Sequence, residues 1–456
     1  MSIQLDLKQY IETYGLHQIK VVAMGEGFRN SNEVLKTYTN KPYIEYQDDG
    51  ILVANVLLGI SSLDLYIDEV LEKTISHDET LTDDVLIDFT NTTVTEDSTN
   101  HFKVVVHTGY GDFESNEIIT SRVLGVSGMY DQAVELTRTD KAVGKTFNID
   151  TATGIVTSDF DDEFPYNEMV EVTIDDSVFI SIPEMWWRIG TDENDNITDI
   201  AVARGKKGAG NWYKSDAFLV GKYISFQESN KMVSMTGKLT NQTYTPIQWT
   251  DYAKANGTGY KPYGAYEHTI LSFLWLIEFA NKRSRNIMNG YVGANQTTGG
   301  TDGIMATTGY DTANNRMKYR GIEDFLGNDA MWLPDVTGAY YTSRDVETYK
   351  NGKVDKTQLS YYKNLTTGYG WRVIQALGWD ANNPFICMPS KIGISSSTTT
   401  YFGTAMYGPN GSNDMLARTK LYSSYSNDAT LLTFIFDYQF GNSTDTVASR
   451  LIKYEF

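Results

Sequence analysis

From Phe164 to the last residue, Phe456, only two segments carry the apolar spacing of a helix. Thr250 stands where it can cap a helix over Asp251 to Asn256 that stops at Gly257. Ile270, Leu271, Leu274, Ile277 and Phe279 place an apolar stripe on a longer helix from about Tyr266 to Ser284. The remainder reads as short strands and long loops rich in Gly, Asn, Thr and Tyr. This part of the chain is therefore expected to be a mixed α+β domain in which loops on a rigid frame carry the variable contacts. No period of about 20 to 50 residues repeats, which argues against a solenoid or propeller.

Charge separates this part from what precedes it. The chain carries 58 Asp and Glu against 38 Lys and Arg, net −20. Residues up to Glu163 hold 29 acidic and 11 basic side chains, net −18, leaving 29 and 27, net −2, for the rest. A domain boundary is expected at Asp159 to Glu163. A length of 456 residues suits about three domains, read as 1–50, 51–160 and 161–456. The acidic balance disfavours nucleic acid as a partner, because binding a phosphate backbone needs dense cationic contacts. No stretch of about 18 apolar residues occurs, and Met1 to Leu7 lacks a basic region followed by an apolar core. A soluble chain made in the cytoplasm without a signal peptide, and with no membrane partner, is expected.

Leu7, Tyr10, Ile11 and Tyr14, closed by Gly15, have amphipathic helix spacing, and Asn30-Ser31-Asn32 ahead of Glu33, Val34 and Leu35 can cap a second short helix. Neither is long enough to fold alone, so this segment is expected to pack on a partner chain. From Ile51 the period becomes that of strands: Leu63, Leu65 and Ile67 alternate with polar neighbours, and Val85 to Phe89, Lys103 to Val106 and Lys145 to Ile149 follow between Asp/Thr/Asn/Ser loops. These runs fit a small β-sandwich. Leu63, Tyr66, Ile67, Val70 and Leu71 also fit a helix; a hairpin is the preferred reading.

Reactive constellations are missing from the sequence. The single cysteine, Cys387, lies in the apolar run Pro384 to Pro389 and reads as an inert buried thiol. The five histidines, His17, His77, His101, His107 and His268, show no metal-ligand spacing, and His268 reads as a capping or packing residue. No Gly-x-Ser-x-Gly elbow or Gly-x-x-x-x-Gly-Lys loop occurs. Asp192 to Asn196 alternates oxygen ligands but lacks the glycine of a calcium loop, and reads as a hairpin turn. No catalytic residue, metal or cofactor is expected.

Several segments form an ordered series: Phe164-Pro165-Tyr166; Phe179 to Ile189; Ala217-Phe218; Val220 to Tyr223; the helices near Trp249 and Ser272; Arg320-Gly321-Ile322-Glu323-Asp324-Phe325-Leu326-Gly327-Asn328; and Ser449-Arg450-Leu451-Ile452. In order and wording this series, roughly residues 160 to 456, resembles the formylglycine-generating-enzyme-like, C-type-lectin-type domains at the ends of bacteriophage tail proteins and in prophage-encoded variable receptor-binding proteins. Arg320 to Asn328 is similar to the family's Gly-Ile-Glu-Asn-x-x-Gly-Asn core. Asp324 stands where the family has Asn, and Asp329-Ala330-Met331-Trp332 stands where it has Val-Trp-Glu-Trp. The resemblance implies a loop that braces the fold through Arg320, Gly321, Glu323, Gly327, Asn328 and Trp332. The copper-binding cysteine pair of the enzyme that names the fold cannot be formed by Cys387 alone.

Aromatics make up 13% of the chain, with 31 Tyr and 8 Trp. In the last third Tyr340, Tyr341, Tyr401, Tyr407, Tyr422 and Tyr425 lie among Gly, Ser, Asn and Thr, the composition of adaptable binding surfaces. With the resemblance, this leads to the expectation of a non-enzymatic bacteriophage virion protein, a tail or head fibre or spike. It would hold capsid or tail proteins through its N-terminus, assemble as a homotrimer, and bind a host-surface glycan or other receptor from the virion surface. The alternatives are a virion enzyme that degrades cell-wall polysaccharide and a purely structural capsid or tail decoration.

Overall fold

A computed structural model describes residues 15–21, 34–40, 42–47, 50–54, 59–78, 83–88, 100–120, 123–129, 133–206, 212–240, 243–291, 295–338, 345–350, 353–358, 370–393, 405–408, 415–419, 434–438 and 447–454, with isolated positions between them. Most of these residues are in strands, and two α-helices occur among them, α1 (Pro246–Lys254) and α2 (Ala265–Phe279). The chain divides into two compact units. One is Met1–Arg122 with Arg204–Gly210, and the other is Val123–Ala203 with Asn211–Phe456.

In the first unit the strands Tyr43–Gln47, Gly50–Ala54 and Val85–Asp88 form a three-stranded sheet. Ile60–Ile67, Val70–Ser76, Asn100–Thr108, Gly111–Glu114 and Ile118–Thr120 form a five-stranded one. Alternation decides which side chains turn inward: Leu63, Leu65, Ile67, Phe102, Val104 and Val106 share one buried core with Ile44, Ile51, Val53 and Ile87 of the smaller sheet. The segment around Leu63 to Leu71 is a hairpin, and its turn residues Asp68 and Glu69 adopt positive φ of 50° and 69°. Positive φ at both central residues matches the right-handed twist of the flanking strands.

The N-terminal segment differs from expectation. Leu7, Tyr10, Ile11 and Tyr14 lie outside the described residues. Gly15 opens a strand, Gly15–Val21, that pairs antiparallel with Val34–Asn40, so Val34 and Leu35 belong to a strand and not to a second helix. Val34, Thr37, Tyr38 and Thr39 are β-branched or aromatic, and a neighbouring strand offers their backbone more hydrogen bonds than an isolated helical turn.

The expected boundary at Asp159 to Glu163 falls inside the second unit. Leu124–Ser127 is hydrogen-bonded between Thr137–Asp140 and Ile197–Ala203. The hairpin of Phe147–Ile149 and Ile155–Ser158 continues through Thr308–Tyr310 into Met317–Tyr319 and Ile322–Glu323. Leu124, Val126, Val156 and Phe160 are buried in the large core of this unit. Surface charge changes near Asp159, but strand pairing and burial place the junction at Arg122 and Val123.

Another five-stranded sheet runs Glu171–Ile174, Ser177–Ile182, Phe218–Gly221, Leu451–Tyr454, Tyr260–Pro262, so the last described strand closes against an early one. A nine-stranded sheet gathers Ala330–Gly338, Gly370–Gly378, Met388–Gly393 and neighbouring strands. Helix α2 is enclosed on every side, with Phe273, Leu274, Trp275, Leu276 and Ile277 fully buried. It ends at Ala280, in the left-handed region at φ 48°, short of the expected Ser284. There the chain turns to pair Asn281 with Glu135, and Leu136 donates its N–H to the Ala280 carbonyl at 2.7 Å. Helix α1 starts before the expected Asp251: Thr245 and Gln248 form a capping box ahead of Pro246, and Thr250 sits within the helix, donating to the Pro246 carbonyl.

Candidate functional site

Arg320 to Asn328 follows the Met317–Tyr319 strand and runs through Ile322–Glu323 into a chain of left-handed residues: Arg320 at φ 48°, Gly321 at 85°, Asp324 at 48°, Gly327 at 94° and Asn328 at 58°. At Gly327 a Cβ would lie 2.6 Å from the Tyr291 backbone nitrogen and oxygen, a close approach that only glycine permits. The coiled backbone exposes many polar groups, and buried carboxylates and guanidinium groups take them up.

Two ionic clusters result. In one, the Arg316 guanidinium donates to Asp324 through Nε at 2.8 Å and Nη2 at 2.7 Å, and Nη2 also reaches Glu323 Oε1 at 3.0 Å. Glu323 accepts further bonds from the Gly299 and Thr301 N–H groups and the Thr301 hydroxyl, each at 2.8 Å. Asn328 Nδ2 donates to Asp324 Oδ2 at 2.9 Å. Burial, with the Asp324 charge beside it, pushes the Glu323 carboxyl up from its ordinary range. Arg450 closes this cluster from the terminal strand, donating to the carbonyls of Gly221, Lys222 and Glu323. Burial pushes the Arg450 guanidinium down to about 10.

The second cluster centres on Arg320, whose guanidinium donates to Glu278 of α2 through Nε at 3.0 Å and through Nη2, and to Asp161 through Nη1 at 2.6 Å. The Tyr166 ring lies beneath it, 4.7 Å from centroid to Cζ. Arg316, Arg320 and Arg450 are thus three buried cations against the buried carboxylates of Glu278, Glu323 and Asp324. The Glu323 oxygens are saturated by protein donors and leave no position for a reacting group. Asp324 is the carboxylate that Arg316 grips with two nitrogens.

Arg320, Gly321, Glu323, Gly327 and Asn328 therefore come together as one loop, but Arg320 serves a different cluster from Glu323 and Asn328. Trp332 lies elsewhere, buried on the Ala330–Gly338 strand among Phe179, Trp249 and Leu451. Among the aromatic candidates, Tyr340, Tyr341, Tyr401, Tyr422 and Tyr425 lie outside the described residues. Tyr407 is on the Ala405–Gly408 strand, opposite Trp371 on one side and Ile435 on the other. Sequence reasoning passed over Arg316, Glu278 and Asp161. The signal for Glu278 was available: a carboxylate inside the run Leu274-Trp275-Leu276-Ile277-Glu278-Phe279 needs a buried cation.

Cys387 is buried, its N–H donating to Thr269 Oγ1 at 3.0 Å, and burial pushes its thiol up. His268 packs in α2 with Nδ1 3.1 Å from the Tyr263 hydroxyl, and burial pushes it down to about 4, so it is neutral at pH 7. The Asp192 to Asn196 segment is a hairpin turn between Met185–Thr191 and Ile197–Ala203, with Asp192 accepting from the Asn194 and Asn196 N–H groups. Compared with protein families and with curated proteins, the chain matches none.

Proposed function

We propose that the chain is a bacteriophage virion protein, a fibre or spike of the tail or head, whose second unit binds a host-surface glycan or other receptor without covalent chemistry. The observation that carries this reading is the closed ionic loop from Arg316 to Asn328. Its charges are consumed within the protein, so the stretch that resembles the lectin-type family's core acts as a frame. Recognition then falls to the Tyr-, Gly- and Ser-rich segments between the strands of the last third, where rigid rings supply area and small polar residues supply hydrogen bonds. The acidic N-terminal segment holds capsid or tail proteins, and a symmetric homotrimer presents copies of the same receptor surface side by side.

Replacing Tyr407 and Tyr425 together by Ala is expected to weaken adsorption to host cells at least about tenfold, or roughly 1.4 kcal/mol, with little change in melting temperature. A stable double variant that adsorbs as well as the parent counts against the reading. Release of reducing ends from host wall glycan by the purified protein would replace it with a polysaccharide-degrading activity.

A further inference from the structure

We propose that Tyr213 and Trp379 form a contact site for an uncharged saccharide, with hydroxyl partners from the turns beside them. The proposal rests on the receptor-binding reading and gives the class of ligand. The two rings meet edge to face, their centroids 4.9 Å apart at 66°. Both are only partly buried, whereas Trp187, Trp249, Trp275 and Trp332 are enclosed. An indole and a phenol that keep part of their surface in water offer apolar area to the C–H groups of a pyranose, and the phenol adds a polar tip.

The rings are held in place before any ligand arrives. Trp379 Nε1 donates to the Pro384 carbonyl at 3.2 Å, and its backbone N–H donates to the Asp195 carbonyl at 3.0 Å. Asn196 bridges to Gly378 next in the chain, and Tyr213 belongs to the Trp212–Ser215 strand paired with Met185–Thr191. Contact with rings already ordered loses little conformational entropy.

The bond to Asp195 also brings the Asp192 to Asn196 turn up to Trp379. Glu193, Asn194 and Asp195 are exposed on that turn. Three residues beyond Trp379, Asn382 is exposed in a turn held by its N–H bond to Asp380 Oδ1 at 2.9 Å. Amide and carboxylate side chains at the edge of an aromatic surface donate to and accept from vicinal hydroxyls. Charge selects among sugars: the turn carries Asp192, Glu193 and Asp195, and Lys391 acts on Asp192, so acidic groups outnumber the basic one here and sialic and uronic acids are disfavoured against neutral pyranoses.

The test is saturation-transfer NMR on the full chain with the methyl glycosides of glucose, galactose, mannose and N-acetylglucosamine, with cellotriose and chitotriose, and with sialyllactose as the charged probe. At least one neutral sugar is expected to take up saturation while sialyllactose does not. Asn194→Ala, in the exposed turn, is expected to weaken that signal at least about fivefold without moving the melting temperature, and Tyr213→Ser to weaken it as much while still melting cooperatively. No signal from any neutral sugar, or an undiminished signal in both variants, overturns the proposal. Host-cell adsorption measured on the same preparations separates the two readings. Adsorption without sugar binding defeats this site alone, and loss of both in the parent chain defeats the receptor reading with it.

Discussion

Gly321 sits at φ 85°, and a Cβ at that position would lie 2.6 Å from Ile180 Cδ1 in the core. An alanine there meets left-handed backbone strain and a clash with a buried side chain at once. Gly321→Ala is expected to cost about 2–4 kcal/mol, read as a fall in the urea midpoint. Gly303→Ala, where a Cβ meets nothing within 4 Å, is the control and is expected to stay within about 0.5 kcal/mol of the parent. The ionic loop follows the same logic of irreplaceable partners. Arg316 removed alone would leave Glu323 and Asp324 buried beside each other without the guanidinium that bonds both, which is why such clusters tolerate replacement as a set better than singly. The glycines and carboxylates of this loop were singled out by the resemblance. Arg316 was not, because a charged residue in a short polar run looks solvated until its neighbours in space are known, and Glu278 was readable as a carboxylate in need of a buried cation but not as the partner of Arg320.

Among elements, the strand Asn100–Thr108 carries a histidine gripped from both sides. His107 Nδ1 lies 2.7 Å from Asp112 Oδ1 on the next strand, and Nε2 lies 2.9 Å from Asp64 Oδ2 on the strand Ile60–Ile67. Thr74, from the Val70–Ser76 strand, donates to the other Asp64 oxygen at 2.6 Å. Hydrogen bonds to Asp112 and then to Asp64 raise the imidazole above its ordinary 6.5. A group raised in the folded state stabilises it fully below the unfolded value and loses that contribution as pH climbs through the folded one. The ring protons of His107 are therefore expected to titrate with a midpoint above 6.5 and to shift back towards it in Asp112→Asn. In the parent, but not in His107→Gln, urea resistance of the first unit is expected to fall as pH rises from below 6.5 through the raised value; equal pH profiles for the two would show that the clasp contributes nothing. The hairpin that carries Asp64 was readable from the alternation of Leu63, Leu65 and Ile67, whereas the meeting of His107 with two carboxylates depends on strand register.

For the whole molecule, strand pairing places the junction between units at Arg122 and Val123. A fragment from Val123 to Phe456 is expected to resist protease and melt cooperatively. One that begins at Phe164 loses Leu124–Ser127 and the Phe147–Ser158 hairpin from their sheets and removes the buried Phe160 from the core. It is expected to melt at least about 10 °C lower, and a fragment starting near Phe164 that proved equally stable would restore the boundary suggested by charge. What is local could be read from the order of residues: which runs alternate as strands, that one long helix carries an apolar stripe, and that Cys387 and His268 lie in packed surroundings. Period and composition report directly which side of an element is to be buried. Which residues meet across long separations is settled by the folded chain. It joined Arg320 to Glu278 and Asp161, Arg450 to the backbone of Gly221, and the segment from Val123 to Ser158 to the second unit. It also left Trp379 partly open while enclosing Trp187. Such pairings are fixed by which strands are neighbours and by the cost of burying an unpaired charge, and both arise from the folded chain as a whole.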